Sequence, residues 1–318
     1  MQKANEEQDR KIEELKSLLN KSTTPEEKEE IVEEIGRQDK IFLSNLRTEV
    51  AYNYNSNKDY ESAISFANEA IDLNPKNARA YNARGVAYDW LGKNDKALED
   101  FNKAIELDSN SATYFTNRGG MHMFFKDYDK AISDYKKAME IDSNYSRAYS
   151  GLCWAYYDKN NFDEAIKYGT KAIELDKDNS SAYNNRGWAY FDSKKYTQAI
   201  TDFEKSIALK NKPSEYSYAG LGDCYFALKK YEQAIENYTE AIRINSENAR
   251  WYNDRGVAYH YIKRYSTAIS DYTKAIKLKP DVGLYYNNRG NAYSWLNQWD
   301  KARADWKKAK ELGYKKKK

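Results

Sequence analysis

The sequence predicts an all-α fold, a solenoid of eight stacked helical hairpins, and three observations carry that prediction. Eight alanines (Ala63, Ala97, Ala131, Ala165, Ala199, Ala234, Ala268 and Ala302) recur at steps of 34 residues, with one step of 35 after Ala199. Within each period, small and apolar residues fall at spacings of three, four and seven, the pattern of two amphipathic helices joined by a short turn. Tyrosine alone supplies 30 of the 318 residues and charged residues 32%, which suits a thin stack with large surface held by aromatic packing.

Residues 1–43 precede the first period. Thr24, Pro25, Glu26 and Glu27 read as a helix start: a capping hydroxyl, a proline in the first turn, then acids on the positive helix end. Ile12, Leu15 and Leu19, then Ile31, Ile35 and Phe42, give each half of the segment one apolar stripe. The expectation is a helical hairpin capping the first repeat, and the alternative is a coiled-coil arm that makes a dimer.

The periods then run 44–77, 78–111, 112–145, 146–179, 180–213, 215–248, 249–282 and 283–316. Repeat 2 shows the parts. Helix A carries Tyr81, Gly85 and Tyr88 at repeat positions 4, 8 and 11; a polar turn follows from Gly92; helix B carries Ala97, Phe101 and Ala104 at positions 20, 24 and 27. Glycine and alanine belong where helix axes approach most closely. Between repeats 5 and 6, the stretch from Lys210 to Ser214 is one residue longer and contains Pro213, which predicts a longer loop without a second domain. In repeat 8, Arg303 and Lys310 replace the Ile, Leu or Met of positions 21 and 28, so that unit is expected to form a polar cap and end the fold.

This pattern resembles the tetratricopeptide repeat family, whose signature is a small residue at position 8, an aromatic at 11, alanine at 20, an aromatic at 24 and alanine at 27. Here position 20 is alanine in all eight units and position 27 in seven, with Ser206 the exception; glycine fills position 8 six times, and Ala51 and Cys153 fill the others. Pro75 and Pro280 take position 32, where the family occasionally has proline. The resemblance covers roughly Ser44 to Lys316. It implies a right-handed superhelix whose A helices line a concave groove through positions 2, 5, 9, 12 and 13. Carried onto this chain, those positions offer a partner Trp90, Phe124, Trp154, Tyr157, Trp188, Phe191, Phe226, Tyr261 and Trp295, interleaved with Asn82, Asn184, Asn253, Asn287 and Asn291. The family's carboxylate-clamp subclass needs lysine at position 5, and no repeat has it.

One departure from the family pattern is internally correlated. Position 7 is Arg84, Arg118, Arg186, Arg255 and Arg289 in five repeats, and position 23 is Asp100, Asp134, Asp202, Asp271 and Asp305 in the same five. The other three pair Val50 with Phe66, Leu152 with Tyr168 and Leu221 with Asn237. A hairpin brings positions 7 and 23 face to face, so five intra-repeat salt bridges are expected.

Catalytic signals are missing from the sequence. The two histidines, His122 and His260, stand 138 residues apart, and no nucleophile elbow, phosphate loop or zinc-protease motif occurs. Cys153 and Cys224 read as reduced core residues, not as a disulfide or a metal site. No cofactor or metal is expected. Net charge is +3, from 52 basic against 49 acidic residues, and no apolar run of membrane-spanning length or signal segment occurs. The basic run Lys315 to Lys318 reads as a solvated tail. The expectation is therefore a cytoplasmic, non-catalytic scaffold that binds a peptide or helix of another protein in a near-neutral groove. Single-stranded RNA binding and a purely architectural role are the alternatives, neither nucleic acid nor membrane being the expected partner.

Overall fold

In the computed structural model, described for residues 25–209 and 214–315 and for most positions between 10 and 21, sixteen helices run from Pro25 onward. They are α1 (Pro25–Ser56), α2 (Tyr60–Leu73), α3 (Ala78–Trp90), α4 (Asn94–Leu107), α5 (Ala112–Phe124), α6 (Tyr128–Ile141), α7 (Ser146–Asp158) and α8 (Phe162–Leu175). There follow α9 (Ser180–Asp192), α10 (Tyr196–Ala208), α11 (Glu215–Ala227), α12 (Tyr231–Ile244), α13 (Ala249–Tyr261), α14 (Tyr265–Leu278), α15 (Gly283–Trp295) and α16 (Trp299–Glu311). Among the described residues there is no strand, so the fold is the all-α solenoid of helix–turn–helix repeats that the period predicts. None of these helices is long and apolar enough to cross a membrane.

The chain divides into two compact units, residues 1–151 and 152–318. In the first, α1 passes through residue 44 without a break, so the boundary expected there falls inside a helix whose last 13 residues are the A helix of repeat 1. No glycine or proline between Arg37 and Ser56 interrupts it. Thr24, Ile12, Leu19, the stretch 210–213 and the last three lysines lie outside the described residues, and so do the expectations placed on them.

Each A helix ends in the same tight turn. The residue at repeat position 15 is left-handed: Lys58, Gly92, Lys126, Asn160, Lys194, Lys229, Lys263 and Asn297 all have φ between 57° and 70°. The amide of the following residue donates back to the A helix, as from Lys195 N to Tyr190 O at 2.8 Å. This geometry satisfies carbonyls that the helix end would leave orphaned.

Packing inside a hairpin follows from size complementarity. In six repeats, position 8 is glycine because the aromatic ring of position 24 lies against it. A Cβ on Gly187 would come within 2.9 Å of Phe203, and one on Gly256 within 2.8 Å of Tyr272. Repeats 1 and 4 reverse the arrangement: Ala51 and Cys153 take position 8, while position 24 shrinks to Ala67 and Gly169. Their aromatic moves to position 23, where Phe66 stacks on Tyr54 at 5.2 Å and Tyr168 on Tyr156 at 5.4 Å. Stacking between neighbours is apolar as well. Phe203 of repeat 5 packs on Leu221 and Cys224 of repeat 6 across the irregular connection. Both cysteines are buried free thiols, which burial pushes up to about 12.

The five Arg–Asp pairs fill the slot that the other repeats fill with apolar or neutral side chains. In each, arginine Nε and Nη2 donate to the two oxygens of the aspartate at 2.7–2.8 Å. Side-chain exposure is 15% for Arg186 and 4% for Asp202, so the pair is withdrawn from solvent. The third donor, Nη1, reaches back to position 25 of the preceding repeat: Asn68, Asn102, Thr170, Thr239 and Thr273. In four of the five, aromatics at positions 4 and 11 flank the guanidinium, as Tyr183 and Tyr190 flank Arg186 at 5.9 and 5.5 Å; in repeat 3, Arg118 lies over Phe115 and position 11 is His122. The Arg84 guanidinium is held above its ordinary pKa by its hydrogen bonds to Asp100.

Candidate functional site

Positions 4, 7, 8, 11, 20, 23, 24 and 27 are consumed by packing, and the A-helix positions 2, 5, 9, 12 and 13 are those expected to face a partner. The structure divides the expected groove residues into three groups.

The first group is spent inside the fold. Asn82 and Asn253 are buried, at 1% and 4% exposure, which corrects their assignment to a partner surface. Their amides staple successive A helices: Asn117 Nδ2 donates to Asn82 Oδ1, and Asn288 Nδ2 to Asn253 Oδ1, each at 2.9 Å. Position 5 of one repeat thus meets position 6 of the next, and burial is tolerable because the polar atoms are satisfied. Asn184 donates to Ser217 Oγ at 2.8 Å and Asn291 accepts from Trp306 Nε1 at 3.0 Å, although each also lines a hollow on the A-helix face, and Asn287 reaches Asn288 at 3.5 Å.

The second group forms aromatic steps, in which position 13 of one repeat leans on position 17 of the repeat before. Trp90 stacks on Tyr60 at 5.8 Å, Tyr261 on Tyr231 at 5.0 Å and Trp295 on Tyr265 at 5.6 Å. Trp90 and Trp295 remain 66% and 63% exposed, so one ring face is covered and the other is open. Phe124 is exposed beside Phe125, and Phe191 and Phe226 lean on Tyr196 and Tyr231. His260, Tyr261, Tyr265, Asn288, Asn291 and Trp295 line one hollow of about 490 Å³. Burial lowers the His260 pKa.

The third group converges within residues 152–318. Trp154, Tyr157, Asn184, Asn185, Trp188, Tyr216 and Arg250 wall a cleft of about 480 Å³. Trp154 and Trp188, at position 9 of adjacent repeats, both line it, but they are not equivalent. Trp188 is half-buried, edge-on to Phe203 at 5.2 Å, whereas Trp154 is 42% exposed. Tyr216, 51% exposed, stands edge-on to the buried Trp251.

Arg250 is shared with a second hollow of about 330 Å³, lined by Phe191, Asp223, Phe226, Ala227, Tyr238, Asp254 and Val257. Its Nη2 lies 3.0 Å from Asp223 and its Nε 3.1 Å from Asp254. Tyr238 Oη donates to Asp223 at 2.6 Å, and Tyr157 Oη to Asp192 at 2.7 Å. Burial, then the charge of Asp254, pushes the Asp223 carboxyl up to about 6, against the pull of Arg250. Burial likewise raises Asp254, and burial with the Asp192 carboxylate raises the Tyr157 phenol. Sequence reasoning overlooked Asp254 because position 6 was not counted as facing a partner; its signal was the acid four residues after Arg250 on one helix face. Tyr216, at position 2, stood at a position already counted as lining the groove and was passed over.

His122 Nε2 lies 3.7 Å from Asp134, whose oxygens already accept from Arg118, and burial lowers the histidine's pKa. Among the described residues, no three His, Cys, Asp or Glu side chains are grouped to hold a metal.

Comparison with known proteins agrees with the repeat geometry. Tetratricopeptide repeat models match residues 46–77, 78–111, 125–186, 249–282 and 282–316, and a further one, described as TPR repeat, matches 222–263. The chain belongs to the tetratricopeptide repeat family. A model of anaphase-promoting complex, cyclosome, subunit 3 matches residues 158–241. No curated protein matches the chain. Among solved structures, the APC/C hetero-tetramer Cut9–Hcn1 is similar over 76% of this chain and 48% of that one, at 20% identity and a TM-score of 0.72. This tetratricopeptide repeat chain thus spans about half the length of that relative. PilF of Pseudomonas aeruginosa is similar over 66% of this chain and 94% of its own, at 19% identity and a TM-score of 0.55. MamA is 28% identical over 52% of this chain and 91% of its own, with a TM-score of 0.48.

Proposed function

We propose that this tetratricopeptide repeat protein is a non-catalytic interaction module that holds a peptide segment of a partner protein against its A helices. One observation carries the reading. In the cleft of about 480 Å³, aromatic side chains that the repeat packing does not require are held open to solvent on rigid helices. Trp154 is the clearest case, since position 9 is Tyr52, Val86, Gly120, Asp223, Val257 or Asn291 in six other repeats. Exposed aromatics with few rotatable bonds, walled by neighbours that exclude water, are what dominates affinity at protein interfaces. Two supports are general: tetratricopeptide repeats typically bind protein partners, and the Cut9–Hcn1 relative is itself a hetero-tetramer. The RNA alternative is opposed by the carboxylates around Arg250, because phosphates need an excess of cations.

The test is selection of displayed dodecapeptides on the full chain, followed by affinity measurement against Trp154→Ala. The selected peptides should lose more than about tenfold in affinity, roughly 1.4 kcal/mol, while the melting temperature stays within a degree or two. Equal binding by wild type and Trp154→Ala would remove the cleft from the interface.

A further inference from the structure

We propose that the cleft of residues 152–318 takes a basic side chain, arginine or lysine, of the bound peptide, seated between its aromatic walls and the carboxylates beside them. This rests on the peptide reading above and names what the peptide must carry.

The charge balance of this region is the first ground. Asp192 accepts from the Tyr157 phenol and Asp223 from the Tyr238 phenol, Asp254 lies 3.1 Å from Arg250, and the Arg250 charge acts on both phenols. Three carboxylates, Asp192, Asp223 and Asp254, thus adjoin the guanidinium of Arg250, although the whole chain carries a net charge of +3. Arg250 spends its Nε and Nη2 on Asp254 and Asp223. Asp192 has a phenol as its partner instead of a cation. A second cation entering here restores the balance, whereas an acidic segment or a phosphate meets repulsion.

The second ground is the wall chemistry. A guanidinium or ammonium gains from lying over an aromatic face, more so when partly desolvated. The same chain shows the arrangement four times in its interior, at Arg84, Arg186, Arg255 and Arg289, where the arginine sits among two rings and a carboxylate, as Arg186 does among Tyr183, Tyr190 and Asp202. The cleft presents rings, and the carboxylates bonded to its own lining residues lie beside it: Asp192 on Tyr157, and Asp223 and Asp254 on Arg250, which is thereby already engaged. A bare metal ion is the poorer guest, because no three ligating side chains are grouped for one among the described residues.

Fluorescein-labelled, end-blocked nonapeptide pools test this on the full chain. Each pool fixes its central residue as Arg, Lys, citrulline, Gln, Glu or Leu, with Gly, Ser, Ala and Tyr mixed elsewhere. The Arg and Lys pools should bind at least about tenfold tighter than the Gln, Glu and citrulline pools, and this advantage should shrink at about 0.5 M salt. In Asp192→Asn with Asp254→Asn the advantage should fall below about threefold, with binding of the Leu pool unchanged. Should that double variant fail to fold, the arginine-against-citrulline and salt comparisons on the wild type still decide. Pools that bind and depend on Trp154 without favouring a cation would overturn this proposal and leave the peptide reading standing. If no pool binds more tightly to the wild type than to Trp154→Ala, both fall. Competition by poly(U) for the same cleft would also overturn the cationic guest.

Discussion

At the scale of single residues, the Arg–Asp pairs show how a buried charge is tolerated in a thin fold. Each guanidinium spends Nε and Nη2 on one carboxylate and Nη1 on a neutral acceptor, and four of the five, Arg186 among them, lie against two aromatic rings. Desolvation costs are large for such a pair, and removing one partner leaves the other uncompensated. Asp202→Ala should therefore cost about 3–5 kcal/mol in urea unfolding. Arg186→Leu with Asp202→Asn copies repeat 6, which holds Leu221 and Asn237 in the same slot, and should cost less than Asp202→Ala alone. Simple addition of the two single losses would show that the pair is not a coupled unit. The pairing of positions 7 and 23 was legible because the residues change together across repeats. The third contact was equally legible and overlooked: position 25 is Asn or Thr before each arginine repeat, but Lys136 and Glu204 before repeats 4 and 6.

At the scale of the helix and its turn, the period located every A and B helix from Tyr60 onward, because each hairpin is specified by its own small and aromatic residues. Periodicity left the start of α1 open, since it marks where a repeat begins, not where a helix does; the helix-start signal at Pro25 supplied it, and α1 is described from that proline. Nor did periodicity separate Asn82 and Asn253 from the solvent-facing positions. Both side chains point towards polar groups of the neighbouring repeat, and a pattern within one repeat carries no record of that neighbour. The turn between helices makes its own prediction. Position 15 is left-handed in every repeat, yet only Gly92 is free of the Cβ cost there. Lys194, with φ of 59°, should accept glycine with a gain of about 0.5–1 kcal/mol. Gly92→Ala should lose a similar amount. A lower melting temperature for Lys194→Gly would mean that the lysine side chain contributes more than its backbone strain costs.

At the scale of the whole molecule, stability in such a stack is a sum of hairpins and nearest-neighbour interfaces, so the outermost faces decide solubility. Between internal repeats, positions 21 and 28 are apolar and covered: Ile269 packs by Ala292, and Ile276 by Tyr285. In repeat 8 the same positions are the exposed Arg303, paired with Asp300, and the exposed Lys310. That face therefore offers another copy of the chain charge in place of a ledge of isoleucine. Removing residues 283–318 should uncover Ile269, Ile276 and the buried Tyr272 together, and such a contiguous apolar face drives self-association. Light scattering of that truncated chain should report dimers or larger species, where the full chain, at equal concentration, scatters as a smaller one. Ile269→Arg with Ile276→Lys in the truncated chain copies the residues of repeat 8 and should reverse the association without restoring the lost interface energy. Urea melts separate those two effects, because the charged substitutions change what the exposed face attracts but not what it has ceased to bury. A truncated chain that stays monodisperse with isoleucine in place would show that the charges of repeat 8 have no protective role.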